Sequence, residues 1–264
     1  MAVDEALLRA RIAGTGPPTI RFYGWRPATL SLGYAQPLAG TIDVARCRAL
    51  GIGVVRRPTG GSALLHEPPE RELTYSVVGR AGDFPGADDV LETYRRIGEG
   101  LVAGLRRLGA AAVLAPLVRR RAGSPDAPTF CFARTGAYEV AVDGRKLVGS
   151  AQRRQRGAFL QHGAIALDAD PARLRAVFPA EPDPLAAMTT LAAVLGRPVA
   201  PESLVPALAA ALARSLGGAA APGGLAPDEV ALAAALVAGK YATEAWTVSG
   251  RLPAPVPETH AGIA

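Results

Sequence analysis

The sequence predicts a mixed α/β (α+β) fold in which largely antiparallel sheets are flanked by helices. Residues 88–108 have the periodicity of a long amphipathic helix that ends at Gly109. The segment 72–78, ELTYSVV, is rich in β-branched and aromatic residues and predicts a strand. Asp143-Gly144 lies between two alternating segments, which is the strongest short-range signal for an antiparallel hairpin.

The other elements follow from apolar spacing and from glycine and proline breaks. The sequence GTGPP ends the first helix, and Gly51 ends the second, in which Cys47 is expected to lie in the core. Helices are predicted at 4–12 and 42–50, and strands at 19–24, 28–33, from Val54 onward, 138–142 and 158–167.

The hairpin can be predicted residue by residue. A two-residue turn pairs Ala141 with Lys146, so Lys146 shares a sheet face with Ala141 and Glu139. The small neighbour leaves space above the sheet for the lysine side chain or for a ligand. An exposed hairpin lysine without a function is the alternative interpretation.

The composition changes after Pro184, where Ala, Leu and Pro predominate. Helical runs are expected at 185–195, 201–216 and 227–240. We therefore predict a first domain over 1–184, a small helical C-terminal subdomain over 185–250 and a flexible, proline-rich tail over 251–264.

The composition excludes several classes of protein. With 264 residues, 49% of them apolar, the chain can bury a sizeable core. No segment reaches the ~20 uninterrupted apolar residues of a membrane span, and the acidic start MAVDEALL is not followed by a signal-peptide pattern. Two cysteines make no disulfide framework. We expect a cytoplasmic protein without a membrane partner, and a monomer by default.

The net charge of +6 is carried mostly by arginine, which a GC-rich genome alone would explain. Two arginine clusters, at 119–121 and 153–156, lack the interleaved aromatic residues of a single-strand binder. An acidic protein partner is therefore favoured over nucleic acid. No metal site is predicted, because Cys47 and Cys131 lack CxxC partners and the histidines are scattered.

Cys131 lies fifteen positions before Lys146. A thiol attacks a carbonyl as its thiolate, and a nearby ammonium stabilises the thiolate and lowers the pKa of a cysteine from its ordinary ~8.5. If the two side chains meet, the chain has a nucleophile able to hold an acyl group as a thioester. If they do not, Cys131 is an ordinary small apolar residue.

The segment RRPTGGSALLH, residues 56–66, is a glycine-bearing loop that leaves a strand. The N–H groups of Gly60 and Gly61 can receive an anion or a developing oxyanion, although a plain turn explains a Gly-Gly pair equally well. Arg56 or Arg57 could hold a phosphate or carboxylate. His66, and less clearly His162 (the second histidine within a predicted element), are candidate pocket residues because they lie at strand edges beside glycine or acid.

Several of these segments together resemble the lipoate/biotin protein ligase superfamily, and within it the cysteine-dependent octanoyltransferases of lipoate biosynthesis. The resemblance covers nearly the whole chain. It lies in MAVDEALL, RFYGWRPATLSLGYAQ, RRPTGGSALLH with ELTYSV, CF with YEV, GRKLVGSAQRRQRGAFLQHGAIALD and KYATEAW. Three features depart from the family pattern: a longer link after His66, Ser62 where arginine is common, and no strand before the first helix.

The resemblance implies a biotin/lipoate protein ligase-like catalytic domain over 1–184 with a tunnel for a medium-length acyl chain. Cys131 matches the family's acyl-thioester nucleophile, and Lys146 matches the lysine thought to lower its pKa. The positions that match residues lining the acyl site are Arg57, Gly60, Gly61, His66, Gly149, Ser150, His162 and Gly163.

The resemblance also implies a reaction. Cys131 would take an octanoyl group from octanoyl-acyl carrier protein and pass it to a lysine of a lipoyl domain or glycine-cleavage H protein, without ATP or another cofactor. Both partners are acidic as families. Lys146 in its neutral form, or His162, would accept the proton of the acceptor amine. The alternatives are an ATP-dependent lipoate ligase, a lipoyl amidotransferase and a non-catalytic lipoyl-protein-binding relative with a buried Cys131.

Overall fold

The computed structural model describes residues 1–116, 130–133, 138–179 and 183–251. These residues form a six-stranded antiparallel sheet, in the order β1-β5-β9-β8-β7-β6, and a three-stranded sheet, in the order β3-β2-β4. The strands are β1 (Thr19–Tyr23), β2 (Thr29–Leu32), β3 (Gly53–Arg56), β4 (Leu64–His66), β5 (Glu72–Arg80), β6 (Val113–Leu114), β7 (Val140–Val142), β8 (Arg145–Gln155) and β9 (Ala158–Ala166). This mixed, largely antiparallel architecture confirms the predicted fold class.

Helices flank both sheets. Asp43 and Asp89 cap the second and third helices by accepting hydrogen bonds from backbone N–H groups of the first turn. The helices are α1 (Ala2–Ala13), α2 (Val44–Ala49), α3 (Val90–Arg107), α4 (Pro171–Val177), α5 (Leu191–Leu195), α6 (Pro201–Ser215), α7 (Pro227–Leu236) and α8 (Glu244–Ser249), with a π-helical turn at Val237–Tyr241 between the last two.

The predicted hairpin is confirmed, with Ala141 paired to Lys146 across the Asp143-Gly144 turn. The strand before it is shorter than predicted and begins at Val140. Tyr138 has a φ of 57°, and the pairing shifts by one residue between Val140 and Ala141, so Glu139 lies outside the regular ladder.

The predicted helical run 185–195 is wrong over its first part. The helix α5 starts at Leu191, whereas Met188 forms a parallel bridge with Lys146, and Thr189 N–H donates to the Lys146 carbonyl. Long-range pairing with the start of β8 overrides the local helical pattern there. The run 227–240 is helical to Leu236 and then widens into the π-helical turn.

Among the described residues, two large apolar cores stabilise the sheets, and the smaller one contains residues of both sheets. The larger core joins the six-stranded sheet to α3 and α6, with Tyr75, Ile97 and Leu208 fully buried. The smaller core lies under the three-stranded sheet and contains Phe130 and Phe132, the residues on either side of Cys131. The segment that carries the cysteine is thereby fixed by apolar burial at the junction of the two sheets.

The C-terminal helices pack onto the sheets and onto α1 and α3. Leu204 and Leu212 of α6 are fully buried in the larger core, and Ala233 of α7 packs against Ala6 of α1. A domain boundary at 184 stays a prediction. The predicted tail beyond residue 251 and the arginine cluster 119–121 lie outside the described residues. Within them, no helix is long and apolar enough to cross a membrane.

Candidate active site

Cys131 is held at the junction of the sheets by its own backbone. It begins a single 3₁₀ turn, Cys131–Ala133, and its N–H donates to the carbonyl of Ala63 at 2.8 Å. The preceding Phe130 forms a parallel bridge with the same Ala63. The thiol is free and partly exposed, and it faces a cavity. This position gives a substrate access to the sulfur.

Lys146 meets Cys131 in space, as the sequence required for an activated nucleophile. Its Nζ lies 3.8 Å from the Cys131 Sγ and 2.8 Å from the Cys131 carbonyl oxygen. The lysine is 2% exposed, and Gly149 leaves room for both side chains. A Cβ at Gly149 would stand 3.3 Å from the Lys146 Cε and 3.4 Å from the Cys131 Sγ. A methyl group there would therefore press on both members of the pair, which would have to shift slightly.

Glu139 completes this group and was not among the predicted site residues. Its Oε1 lies 2.6 Å from the Lys146 Nζ, and both side chains are buried. The signal for it was present in the sequence, because the hairpin placed Glu139 on the sheet face of Lys146. We call Cys131, Lys146 and Glu139 the thiol cluster. In this cluster, the Glu139 carboxylate and the Cys131 carbonyl oxygen hold the Lys146 Nζ beside the sulfur.

Arg57 holds the glycine loop in place. Its guanidinium donates to the carbonyl oxygens of Gly60 at 2.6 Å, Ser62 at 2.7 Å and Ser31 at 3.0 Å. Gly61 has a φ of 90°, which only glycine adopts without strain. Burial lowers the pKa of the Arg57 guanidinium, and the nearby Cys131 opposes that shift. Arg57 thus combines a positive charge near the sulfur with a fixed loop conformation.

His66 is the last residue of β4 and lies in a buried network with side chains of β2 and β5. Its Nε2 is 2.9 Å from the Ser31 Oγ, and its Nδ1 is 2.7 Å from Glu72 Oε1. The Trp25 indole stacks on the imidazole with the ring centroids 4.1 Å apart. Glu72 also accepts a hydrogen bond from the Thr74 hydroxyl at 2.7 Å. The imidazole is fixed on both edges and on one face.

His162 lies in a second buried network, on β9. Its Nε2 is 2.7 Å from the Thr59 Oγ1, and its Nδ1 is 3.3 Å from Asp4 Oδ2. Burial lowers the pKa of His162 more than the Asp4 carboxylate raises it. We call Thr59, His162 and Asp4 the imidazole cluster. Asp4 and Thr59 were not predicted as site residues; 158 positions separate Asp4 from His162, so no local pattern links them.

Ser150 and Gly163 face each other on neighbouring strands. The Ser150 Oγ is 2.7 Å from the Tyr75 hydroxyl. A Cβ at Gly163 would stand 2.6 Å from the Tyr75 Cε1 and 2.9 Å from the Ser150 Oγ, and it would overlap the Gly149 carbonyl. Gly163 is therefore required by the close approach of β8 and β9.

One small cavity brings most of the predicted site together. Its wall includes Arg57, His66, Cys131, Gly149, His162 and Gly163. The other predicted residues contact the residues of this wall. Lys146 contacts Cys131, and Ser150 lies against Gly163. Gly60 and Gly61 contact Arg57. In the described part of the chain, no three His, Cys, Asp or Glu side chains are placed to hold a metal ion.

The comparisons with known proteins identify the family. A profile of the lipoyl protein ligase A/B catalytic domain matches residues 1–213. The chain belongs to this family. It is 45% identical over 259 residues to octanoyltransferase LipM of Symbiobacterium thermophilum, covering 94% of this chain and 93% of that protein. It is 46% identical to octanoyltransferase LipM of Kyrpidia tusciae, covering 93% and 92%.

Solved structures agree with the family assignment. A lipoate-protein ligase A bound with ATP superimposes with a TM-score of 0.77 at 26% identity, covering 94% of this chain and 92% of that one. The bipartite lipoate protein ligase of Thermoplasma acidophilum, described with its E2 lipoyl domain, gives a TM-score of 0.75 at 25% identity, covering 97% and 92%. The resemblance drawn from the motifs is therefore confirmed at the level of family and fold.

Proposed function

We propose that this protein is an octanoyltransferase of lipoate biosynthesis that works through a thioester on Cys131. The donor is octanoyl-acyl carrier protein, and the acceptor is a lysine of a lipoyl domain or of glycine-cleavage H protein. Two relatives that match over nearly their whole length are named octanoyltransferases, which supports octanoyl as the group that is transferred. The observation that carries the proposal is the 3.8 Å approach of the Lys146 Nζ to the Cys131 Sγ at a cavity wall.

The first half-reaction loads the enzyme. The Cys131 thiolate, stabilised by the Lys146 ammonium, attacks the octanoyl carbonyl, and a tetrahedral oxyanion forms. The new C–S bond stays, the C–S bond to the carrier's pantetheine breaks, and the pantetheine sulfur leaves and takes a proton. Backbone N–H groups of the loops containing Gly60-Gly61 and Gly149-Ser150 are the candidate donors to the oxyanion.

The second half-reaction transfers the octanoyl group. The acceptor amine attacks the thioester carbonyl, the C–N bond forms, and Cys131 leaves as a thiolate beside Lys146. The donor thioester is already activated, so the reaction needs neither ATP nor another cofactor. A net charge of +6 favours encounters with acidic carrier and lipoyl domains. We propose that the enzyme is a cytoplasmic monomer that acts on these two partners.

Intact-mass measurement tests the proposal. Incubation with octanoyl-acyl carrier protein, without ATP, is expected to add the mass of one octanoyl group. Hydroxylamine should remove that adduct, as it does thioesters, and Cys131→Ala should not form it. Addition of a lipoyl domain or H protein should discharge the adduct onto the acceptor lysine.

The rival activities predict other results in the same experiment. Octanoylation that requires free octanoate and ATP would identify a ligase and overturn the proposal. Loading from octanoylated H protein but not from the acyl carrier protein would identify an amidotransferase. No adduct under any of these conditions would indicate a relative that binds lipoyl proteins without catalysis.

A further inference from the structure

The cavity beside Cys131 crosses four neighbouring strands of the six-stranded sheet. Its wall takes residues from β8, β9, β5 and β1, in that order across the sheet, namely Gly149 and Ala151, His162 and Gly163, Thr74, and Tyr23. From the three-stranded sheet, Leu64 and His66 of β4 line the same cavity. The cavity is therefore a slot that begins at the sulfur and runs between the two sheets toward β1.

One row of paired residues runs beneath this slot. Gly149 pairs with Ala164, which pairs in turn with Thr74. Thr74 pairs with Tyr23 on β1. Residues that pair directly across antiparallel strands have their side chains on the same face of a sheet. A Cβ at Gly149 would stand 3.4 Å from the Cys131 Sγ, so this is the face over which the sulfur lies.

The length of the row matches a chain of medium length. Neighbouring strands lie about 4.8 Å apart, so the three steps from Gly149 to Tyr23 span about 14 Å. An extended octanoyl group reaches about 10 Å from the sulfur to its last carbon. The radii of the terminal methyl group and of an aromatic ring take up about 4 Å more. An octanoyl chain thus ends against Tyr23, and a longer chain would overlap it.

Tyr23 is held so that it cannot yield to a longer chain. Its hydroxyl donates to Asp4 Oδ2 at 2.7 Å, and the Arg21 guanidinium lies 3.9 Å from the centre of its ring. Asp4 is fully buried, and it also accepts hydrogen bonds from Arg21 at 2.8 Å and Ser76 at 3.0 Å. Burial and the Asp4 carboxylate raise the pKa of the Tyr23 hydroxyl, so it stays a neutral donor. The ring is therefore fixed at its hydroxyl and on one face.

Two other residues of the wall can yield to a chain that enters this small cavity. Leu64 can change its rotamer, and Met1 carries a thioether side chain, which adapts readily to the shape of its neighbours. His66 and His162 have hydrogen-bond partners at both ring nitrogens, so they form fixed side walls. An entering chain can therefore widen the slot, but it cannot extend past Tyr23.

We propose that Tyr23 is a specificity-determining residue, whose ring closes the far end of the slot and limits the acyl group on Cys131 to about eight carbons. This inference rests on the proposed function, because it assigns chain-length selection to the site that forms the thioester.

Alkyl disulfides on Cys131 test the length of the slot without a carrier protein. In a Cys47→Ala background, the Cys131 thiolate attacks the thiol-derived sulfur of an alkyl methanethiosulfonate, an S–S bond forms, and methanesulfinate leaves. A heptyl disulfide places as many chain atoms beyond the Cys131 sulfur as an octanoyl thioester does. Each added carbon should raise the Tm by about 2 °C up to heptyl, because it becomes buried, and then the rise should stop. A Tm that keeps rising to dodecyl, or that does not rise from propyl to heptyl, would overturn the proposal.

Two variants of Tyr23 form a matched pair in the same measurement. Tyr23→Val keeps a residue suited to a strand but removes the ring, so the longest chain that still raises the Tm should change from heptyl to nonyl or longer. Tyr23→Phe keeps the ring and should retain the wild-type limit. Chain lengths are compared within each variant, so a general loss of stability does not affect the result. An unchanged limit in Tyr23→Val, or an equally lengthened limit in both variants, would refute the role of the ring.

Acyl-carrier-protein thioesters from hexanoyl to tetradecanoyl test the limit in catalysis. Wild type should load octanoyl about tenfold or more faster than dodecanoyl, and this preference should largely disappear in Tyr23→Val but not in Tyr23→Phe. If wild type loads no acyl group from any carrier, the proposed function fails, and the disulfide series still decides the role of Tyr23. If wild type loads octanoyl and dodecanoyl at equal rates, the proposed function stands and this inference fails.

Discussion

The thiol cluster and the imidazole cluster meet at one cavity, and they handle charge in opposite ways. In the first, a buried cation is held by a carboxylate and directed toward a sulfur that must carry negative charge. In the second, a buried anion is held by three donors and directed toward a ring that can accept positive charge. In each cluster, a buried charge contacts the side chain that lines the cavity, and the two charges are of opposite sign.

The two clusters also differ in how the chain builds them. The thiol cluster lies where β8 begins, beyond its pairing with β9, so the Lys146 backbone pairs with Ala141 and Met188 instead. In the imidazole cluster, His162 lies in the regular part of the sheet, where β9 pairs with β5 and β8, whereas Asp4 lies on α1 and Thr59 in the loop after β3. Lys146 is therefore positioned by irregular pairing, and His162 by a regular strand.

Removal of the Lys146 charge should have the largest effect. Lys146→Met leaves the buried Glu139 carboxylate without the ammonium, so we expect a loss of about 3–5 kcal/mol in the free energy of unfolding. The sulfur also loses the cation 3.8 Å away, so the pH midpoint of Cys131 alkylation should move upward. Urea unfolding and alkylation by iodoacetamide across pH measure the two effects.

A double variant separates stability from activation. Lys146→Met with Glu139→Gln removes both charges, so much of the lost stability should return. The alkylation midpoint should remain high, because the ammonium is still absent. A midpoint that returns to the wild-type pH in the double variant would remove Lys146 from the activation role.

Asp4→Asn should have the next largest effect, and it acts on the other cluster. The amide removes the buried anion that His162, Arg21 and Tyr23 contact. The buried network should therefore lose about 3 kcal/mol of stability at neutral pH. Urea unfolding at pH 7 measures this loss.

The stability loss in Asp4→Asn should depend on pH in a defined direction. The pKa of Asp4 is depressed in the folded protein, so its contribution is present above its unfolded pKa of about 3.9 and is lost as pH falls toward the folded value. The difference in the free energy of unfolding between wild type and Asp4→Asn should therefore become smaller below about pH 4. A difference that stays constant down to about pH 2 would contradict an ionised Asp4.

Two glycine substitutions should give the smallest effects and distinguish packing from activation. Gly163→Ala forces a methyl group against Tyr75 and backbone, so about 1–3 kcal/mol of stability should be lost. Gly149→Ala meets the Lys146 and Cys131 side chains at 3.3 Å and 3.4 Å, which can shift slightly. We expect a smaller stability loss but a slower alkylation of Cys131. A larger fall in Tm for Gly149→Ala than for Gly163→Ala would contradict the packing role given to Gly163.

Local signals predicted much of the fold and part of the site. The turn at Asp143-Gly144 fixes its own register, so the pairing of Ala141 with Lys146 followed from the sequence alone. The same turn predicted a shared face for Lys146 and Glu139; their side chains do meet, although the pairing shift leaves Glu139 outside the regular ladder. Cys131 was predicted from its spacing to Lys146, and Gly149 and Gly163 from motif resemblance, and all three line one cavity.

The parts that were missed depend on contacts between distant residues. Asp4 and Thr59 meet His162 across 158 and 103 positions, and nothing local marks them. The segment before α5 has helical composition, but its backbone groups bond to Lys146 instead. Arg57 was predicted as an anion ligand, yet its guanidinium is largely occupied by loop carbonyls. Such partners become visible only when the tertiary structure is known.

The buried Arg56, next to the glycine loop, connects this loop to the C-terminal end of α8. Its guanidinium donates hydrogen bonds to the carbonyl oxygens of Trp246 and Val248 at the end of α8. It also donates to the carbonyl oxygen of Gly33, a residue packed closely against the Gly61 backbone. The last helix is thus fastened to the loop beside Cys131. The family profile ends at residue 213, so a fragment cut there would keep the nucleophile and lose the far anchor of its loop. We therefore expect the loop to keep its conformation only in a chain that includes α8.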